Sequence, residues 1–198
     1  MPFKKIQSNI EVKDREFDLI YPKSFKSISK FHFTPVCIAK EAARYLVTNK
    51  ETKVLDVGSG AGKFCMIGSV VTEGYFYGVE HRIKLSNLAN RITKHYELSN
   101  VEFIHSNITD IQFNLYNSFY SYNPFYENIA KTGRIDNKLH FSNEQYEAYS
   151  SYMKSQLSTM PIGTKLVTYF SYLKEVPDSY KVKYSNFDNK LKFWQKEI

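Results

Sequence analysis

Short apolar runs alternating with amphipathic stretches organise this chain. Five runs, "KVLDV" (53–57), "YFYGVE" (75–80), "VEFIHS" (101–106), "SFYSYN" (118–123) and "KLVTYF" (165–170), are separated by segments with helical spacing. Strands alternating with helices predict βαβ units, and therefore a mostly parallel sheet with right-handed crossovers and helices on both faces. Ahead of the first run, "TPVCIAKEAARYLVTNK" carries Val36, Ile38, Ala39, Ala42, Ala43 and Leu46 on one helical face. Thr34 is its expected N-cap and Pro35 its first helical residue. "SNEQYEAYSSYMKSQLSTM" predicts a second long helix, opened by a capping box of Ser142 and Gln145 and closed off by Pro161 and Gly163. Near the end, the alternating runs "YKVKYSNF" and "KLKFWQKE" flank Asp188 and Asn189, and predict an antiparallel hairpin at the sheet edge. The expected fold is α/β, a seven-stranded sheet in one domain over residues 1–198. Residues 1–30 are polar, and a strand or short helix over one end of the sheet is expected there, as an N-terminal extension or a cover on the substrate side.

A length of 198 residues suits one domain with a sizeable core. The 27 Lys and Arg against 20 Asp and Glu give a net charge of +7, which attracts acidic partners without identifying them. The 16 Tyr and 15 Phe are interleaved with Ser, Asn and Lys, a pattern that fits strands and base-stacking surfaces alike. Cys37 and Cys65 form no CxxC and neighbour no histidine pair, which argues against a disulfide framework or a zinc site; Cys65 is expected as a small core residue. No His-carboxylate cluster has metal-ligand spacing, so no metal is expected. The opening "MPFKKIQSNIEVKDREF" contains no apolar targeting segment, and no stretch approaches ~18 apolar residues. The expectation is a soluble, cytoplasmic protein without membrane contact.

Chemistry enters with "VLDVGSGAGKF" (54–64), where Gly58, Gly60 and Gly62 follow a strand and precede a helix. Glycines there permit positive φ and a close approach of ligand to backbone. A Walker A loop fails, because Val57 stands five before Gly62 and Phe64 follows Lys63. A dinucleotide fingerprint fails on Lys63 and Cys65. What remains, D-x-G-x-G-x-G with Asp56 at the strand end, resembles the first motif of the class I, Rossmann-like S-adenosylmethionine-dependent methyltransferases. The resemblance implies that Asp56, Gly58, Ser59, Gly60 and Gly62 wrap the methionine part of S-adenosyl-L-methionine. It implies further that Glu80, ending the second strand, holds the ribose hydroxyls, with His81 by the adenine. Asn107 stands where the family has an acidic residue contacting the adenine amine, and Ile108 is implied against the adenine face. Asp110 reads as a turn or cap residue.

The fourth run ends in "NPFY", which resembles the [N/D]-P-P-[Y/F] motif of family members that methylate exocyclic or amide nitrogens. The implied catalytic set is Asn123, Pro124, Phe125 and Tyr126, with Asn123 also touching cofactor. The second proline of the motif is Phe125 here. The segment 54–126 is also similar to the Dot1-type lysine methyltransferases. Residues 124–141, with Lys131, Arg134, Lys138, His140 and a possible hinge at Gly133, have the length and place of a substrate cover. His32 and Phe33 read either as lining of the cofactor entrance or as surface and packing residues. The implied function is methyl transfer to a nitrogen of an RNA or DNA base or a protein side chain. A non-catalytic binding module and methylation of a small-molecule amine are the alternatives.

Overall fold

The computed structural model describes residues 1–197. Four helices, α1 (Pro2–Gln7), α2 (Asp14–Phe17), α3 (Lys23–His32) and α4 (Val36–Leu46), precede the sheet. The alternating body follows as β1 (Lys53–Val57), α5 (Lys63–Val71), β2 (Tyr75–Glu80), α6 (Ile83–His95), β3 (Val101–His105), β4 (Ser118–Tyr122), α7 (Asn143–Ser158), β5 (Lys165–Tyr169), β6 (Tyr180–Asn186) and β7 (Leu191–Lys196). The seven strands are ordered β3-β2-β1-β4-β5-β7-β6. The first five pair in parallel, while β7 runs antiparallel between β5 and β6. The hairpin between β6 and β7 turns through Phe187, Asp188 and Asn189, three consecutive residues with positive φ.

Alternation along the strands builds two cores. Val54, Phe76, Tyr120 and Val167 face α4, α5 and α6, and Phe64 of α5 stacks on Tyr120 with ring centroids 3.9 Å apart. Leu55, Val57, Phe119 and Leu166 face the other way, onto Met153 and Leu157 of α7 and the buried Phe113. All of residues 53–57 except Lys53 are buried, so Asp56 must point its carboxyl into protein, toward α5.

Residues 1–30 form short helices only. Phe3, Ile6 and Phe17 join the first core, with Phe3 packed edge-on against Tyr96 beyond α6. Lys63, at the start of α5 and 2% exposed, ties this segment down through ion pairs with Asp14 (2.7 Å) and Asp18 (2.8 Å).

Two expected helix starts are corrected. Thr34 does not cap α4: its buried hydroxyl hydrogen-bonds the Tyr120 hydroxyl at 3.0 Å, Pro35 occupies the cap position, and the first helical amide, Val36 N, donates to Asp14 Oδ1 at 2.9 Å. A distant carboxylate thereby satisfies the donor that a local hydroxyl was expected to take. At α7, Ser142 Oγ accepts from the Gln145 amide at 3.2 Å, but the Gln145 side-chain oxygen is buried without a partner, so only half of the capping box forms.

Candidate active site

The carboxyl ends of β1, β2 and β4 converge, as open parallel sheets with a ligand site require. The amides of Gly58 and Ser59 both donate to the Val79 carbonyl (3.0 and 2.9 Å), which fastens the loop after β1 to β2. Gly58 has a φ of +75°, and a Cβ on it would lie 2.7 Å from the Pro124 Cβ. The glycine therefore lets the turn after β4 close onto the turn after β1. Gly62, with a φ of +81°, abuts Phe103 instead: a Cβ there would stand 2.2 Å from the ring.

One cavity, enclosing about 130 Å³, lies beyond these strand ends. Of the residues singled out in the sequence, Gly58, Gly60, Glu80, His81, Asn107, Ile108, Asn123, Pro124 and Phe125 line it, as do His32 and Phe33. Ser59, Gly62, Asp56 and Tyr126 do not. Ser59 packs over Gly78 with its hydroxyl buried and unpartnered. Asp56 opens on a narrow adjoining recess, shared with Gly58, Ser59, Thr34 and Lys63. Tyr126 faces a second cavity, described below.

Neither Glu80 nor Asp56 forms an ion pair with a cationic side chain, although Arg82 lines the same cavity. Glu80 is 6% exposed; its Oε2 accepts from Gly60 N (2.9 Å) and its Oε1 from Arg82 N (2.7 Å). Burial raises its pKa from the ordinary value, against the lowering effects of those two amides and of the Arg82 charge. Asp56 touches only the Cys65 thiol, at 3.5 Å, and burial pushes it up to about 8, with the charge of Glu80 adding to the rise. The neighbouring Lys63 is already committed to Asp14 and Asp18. Two buried carboxyl groups thus stand at the strand ends with acceptor capacity to spare, which suits a ligand that brings hydroxyls and positive charge.

A raised carboxyl pKa makes stability depend on pH. The contribution of neutral Asp56 is fully present below its unfolded value and is lost as pH rises through about 8. Denaturant titrations from pH 5 to 9 should therefore show wild type losing stability relative to Asp56→Asn as pH rises, whereas parallel curves would contradict the buried placement.

Asn107 uses its side chain twice, accepting from Thr109 N (3.2 Å) and donating to the Tyr149 hydroxyl (3.1 Å). An adenine amine would share its oxygen with that turn. Asn123 adopts a φ of +43°, and the Tyr126 amide donates to its backbone carbonyl at 3.2 Å. The turn places Asn123 and Pro124 in the wall of the cavity. Phe125, which also lines the cavity, is buried against Tyr149 with centroids 5.6 Å apart.

Residues 127–141 fold over the cavity and supply Leu139, His140 and Phe141 to its wall. Glu127 holds them in place. Its carboxylate pairs with Arg82 and accepts from Ile135 N (2.5 Å), and its carbonyl accepts from Arg134 Nε (2.9 Å). Arg82 also reaches Asp136 at 3.4 Å, and Phe141 lies against the guanidinium groups of Arg82 and Arg134. Glu127 and Tyr149 escaped the sequence reading. The signal for Glu127 was slight, a lone carboxylate just after "NPFY".

The second cavity, about 800 Å³ and more open, lies on the far side of Asn123. It shares His32, Tyr122, Asn123 and Glu127 with the first, and adds Tyr126, Phe31, Phe170, Tyr172, Arg134, Lys190 and Lys192. Among the described residues, no group of three or more His, Cys, Asp or Glu is placed to hold a metal ion, and no helix is long and apolar enough to cross a membrane.

With a strand order of 3-2-1-4-5-7-6, a glycine turn after the first strand and an acid ending the second, the sheet has the architecture of a Rossmann-like methyltransferase domain. Residues 48–187 match the family model described as a methyltransferase domain, and the chain belongs to that family as a class I, Rossmann-like member whose methyl donor is S-adenosyl-L-methionine. The fold is similar to that of an RNA methyltransferase from Salinibacter ruber in complex with S-adenosyl-L-homocysteine (16% identity, TM-score 0.56, covering 82% of this chain and 90% of that one). It is also similar to TrmN from Thermus thermophilus (13%, TM-score 0.60, 88% and 52%) and to the [4+2]-cyclase SpnF (15%, TM-score 0.52, 67% and 43%). The chain thus spans about half the length of the last two. No curated protein sequence matches it.

Proposed function

We propose that this methyltransferase moves the methyl group to a nitrogen nucleophile presented at Asn123. The observation that carries the proposal is that Asn123, held at positive φ, forms part of the wall common to both cavities. In this reading the first cavity holds the donor and the second the acceptor, and Asn123 stands where the two would meet.

The residues present fit the donor. Glu80 has lone pairs left after its two amide contacts, and a carboxylate takes paired ribose hydroxyls well. Asp56, beside the glycine turn, would become charged opposite the amino group of the methionine arm. Asn107 and Ile108 would flank the adenine. When bound, S-adenosyl-L-methionine supplies an electrophilic methyl group on a good leaving group, so the protein's task is positioning.

Asn123 and Pro124 perform that task through acceptors. The Asn123 side-chain oxygen and the Pro124 carbonyl receive hydrogen bonds from the attacking N–H groups, orient the nitrogen lone pair along the line of displacement, and stabilise positive charge as it develops there. With S-adenosyl-L-methionine bound, transfer would give the methylated nitrogen and S-adenosylhomocysteine, and the proton lost from the nitrogen would pass to solvent.

Incubation with S-adenosyl-L-methionine labelled in the methyl group, in the presence of total RNA, DNA and protein fractions, tests the proposal. Label should appear in one fraction and be lost in Asn123→Ala. Calorimetric binding of S-adenosylhomocysteine with no label in any fraction or in small-molecule amines would leave a binding module as the reading instead.

A further inference from the structure

The second cavity carries more information about the acceptor than the glycine turn does. Its walls are aromatic: Phe31 (67% exposed) and Tyr172 (61%) stand open at its rim, while Tyr126 lies 6.1 Å from Tyr172 at an interplanar angle of 30°. Large aromatic side chains left this exposed around one opening mark a contact surface. Its charge is positive. Arg134, Lys190 and Lys192 line it, Lys190 lies 5.3 Å over the Phe170 ring, and Lys30 lies 5.2 Å over Phe31 beside it. The single carboxylate in the lining, Glu127, is already paired with Arg82. The backbone is also strained at this place: Asn123, Phe170, Leu173 and Asn189, none of them glycine, all have positive φ and all line this cavity. Such conformations persist where the surrounding structure enforces them, and they gather at functional sites.

These features disfavour a lysine side chain as the natural occupant, although Lys190 also lies 3.7 Å from Asp188 and Arg134 donates to the Glu127 carbonyl. An ammonium group would enter among three cations and find its one possible carboxylate partner occupied. They suit a flat, uncharged ring attached to an anionic chain, because rings stack on aromatic faces and phosphates pair with Lys and Arg. We infer that the second cavity receives an unstacked base of single-stranded nucleic acid, with Tyr172, Tyr126 and Phe31 stacking on bases and Lys190, Lys192 and Arg134 on the flanking phosphates. The net charge of +7 steers such a chain toward the protein. This inference takes its reaction from the methyl-transfer reading above, while its binding surface is independent of that reading.

Fluorescence polarisation with labelled single-stranded RNA and DNA oligonucleotides, a duplex and a lysine-rich peptide, all with S-adenosylhomocysteine present, tests it. Single strands should bind best, whichever sugar is preferred, and the RNA and DNA arms identify the source. Tyr172→Ala should weaken binding by about 5- to 150-fold. Lys192→Gln should lower the slope of log affinity against log salt by about 0.7. Phe31→Ala, at an open position, provides a second stacking variant free of folding effects. Single-strand affinity unchanged in all three variants, duplex bound as tightly as single strand, or the peptide bound in preference to both would overturn the inference. Loss of methyl transfer with oligonucleotide binding intact would refute the reaction and leave the surface standing; retained methyl transfer to protein alone would do the reverse.

Discussion

Asn123→Ala should lower the rate of methyl transfer by about 10²- to 10³-fold, the loss seen when one hydrogen-bonding group aimed at developing charge is removed. The carboxamide is the part that matters in this expectation, but the substitution also alters the backbone, because Asn123 sits at a φ of +43°. An alanine in the left-handed region costs about 1–2 kcal/mol. Asn123→Gly separates the effects, since glycine adopts that φ freely and still lacks the carboxamide. Both variants should lose activity together while binding of S-adenosylhomocysteine is followed by calorimetry. An active Asn123→Gly would remove the side chain from the reaction.

Lys63→Ala should destabilise the protein by about 3–5 kcal/mol, the usual cost of removing one partner from a buried ion pair. The lysine side chain is 2% exposed and Asp18 11%, so Asp18 would keep its charge in a poorly solvated position. Asp14, at 49%, would be rescued by water. Asp14 also accepts the first amide of α4, so this cluster joins α2, α4 and α5 at one point. The measurement is the urea midpoint, with Asp14→Asn as a milder comparison. A loss below about 1 kcal/mol in Lys63→Ala would show that apolar contacts of Phe3, Ile6 and Phe17 hold the N-terminal segment by themselves.

The same residues explain how far the chain could be read unaided. The strands were legible because a short apolar run bounded by polar residues is written locally; Val54 to Val57 and Ser118 to Ser121 are buried without interruption, as central parallel strands are. The glycine turn and Glu80 were legible because backbone conformation and chain position select few residue types. Residues 1–30 were not. The helices α1, α2 and α3 have no side-chain cap, and α2 is held by a lysine 45–49 residues away. Thr34 misled for the related reason that tertiary partners outbid local ones: Tyr120 took its hydroxyl, and Asp14 took the amide it was expected to cap. The cover over the cavity has no periodicity of its own, and its fold depends on Arg82 meeting Glu127 across 45 residues.

That cover has a thermodynamic consequence. The cavity beneath residues 127–141 encloses about 130 Å³, whereas small-molecule sites usually measure about 300–1,000 Å³. A nucleoside carrying an amino-acid arm is therefore expected to bind best when those residues stand further open, and the contacts of Arg82 with Glu127 and Asp136 are among those that hold them closed. The measured affinity is then the intrinsic affinity multiplied by the fraction of molecules already open. Any change that loosens the Arg82 contacts raises that fraction, tightening the apparent grip on the ligand while weakening the folded chain.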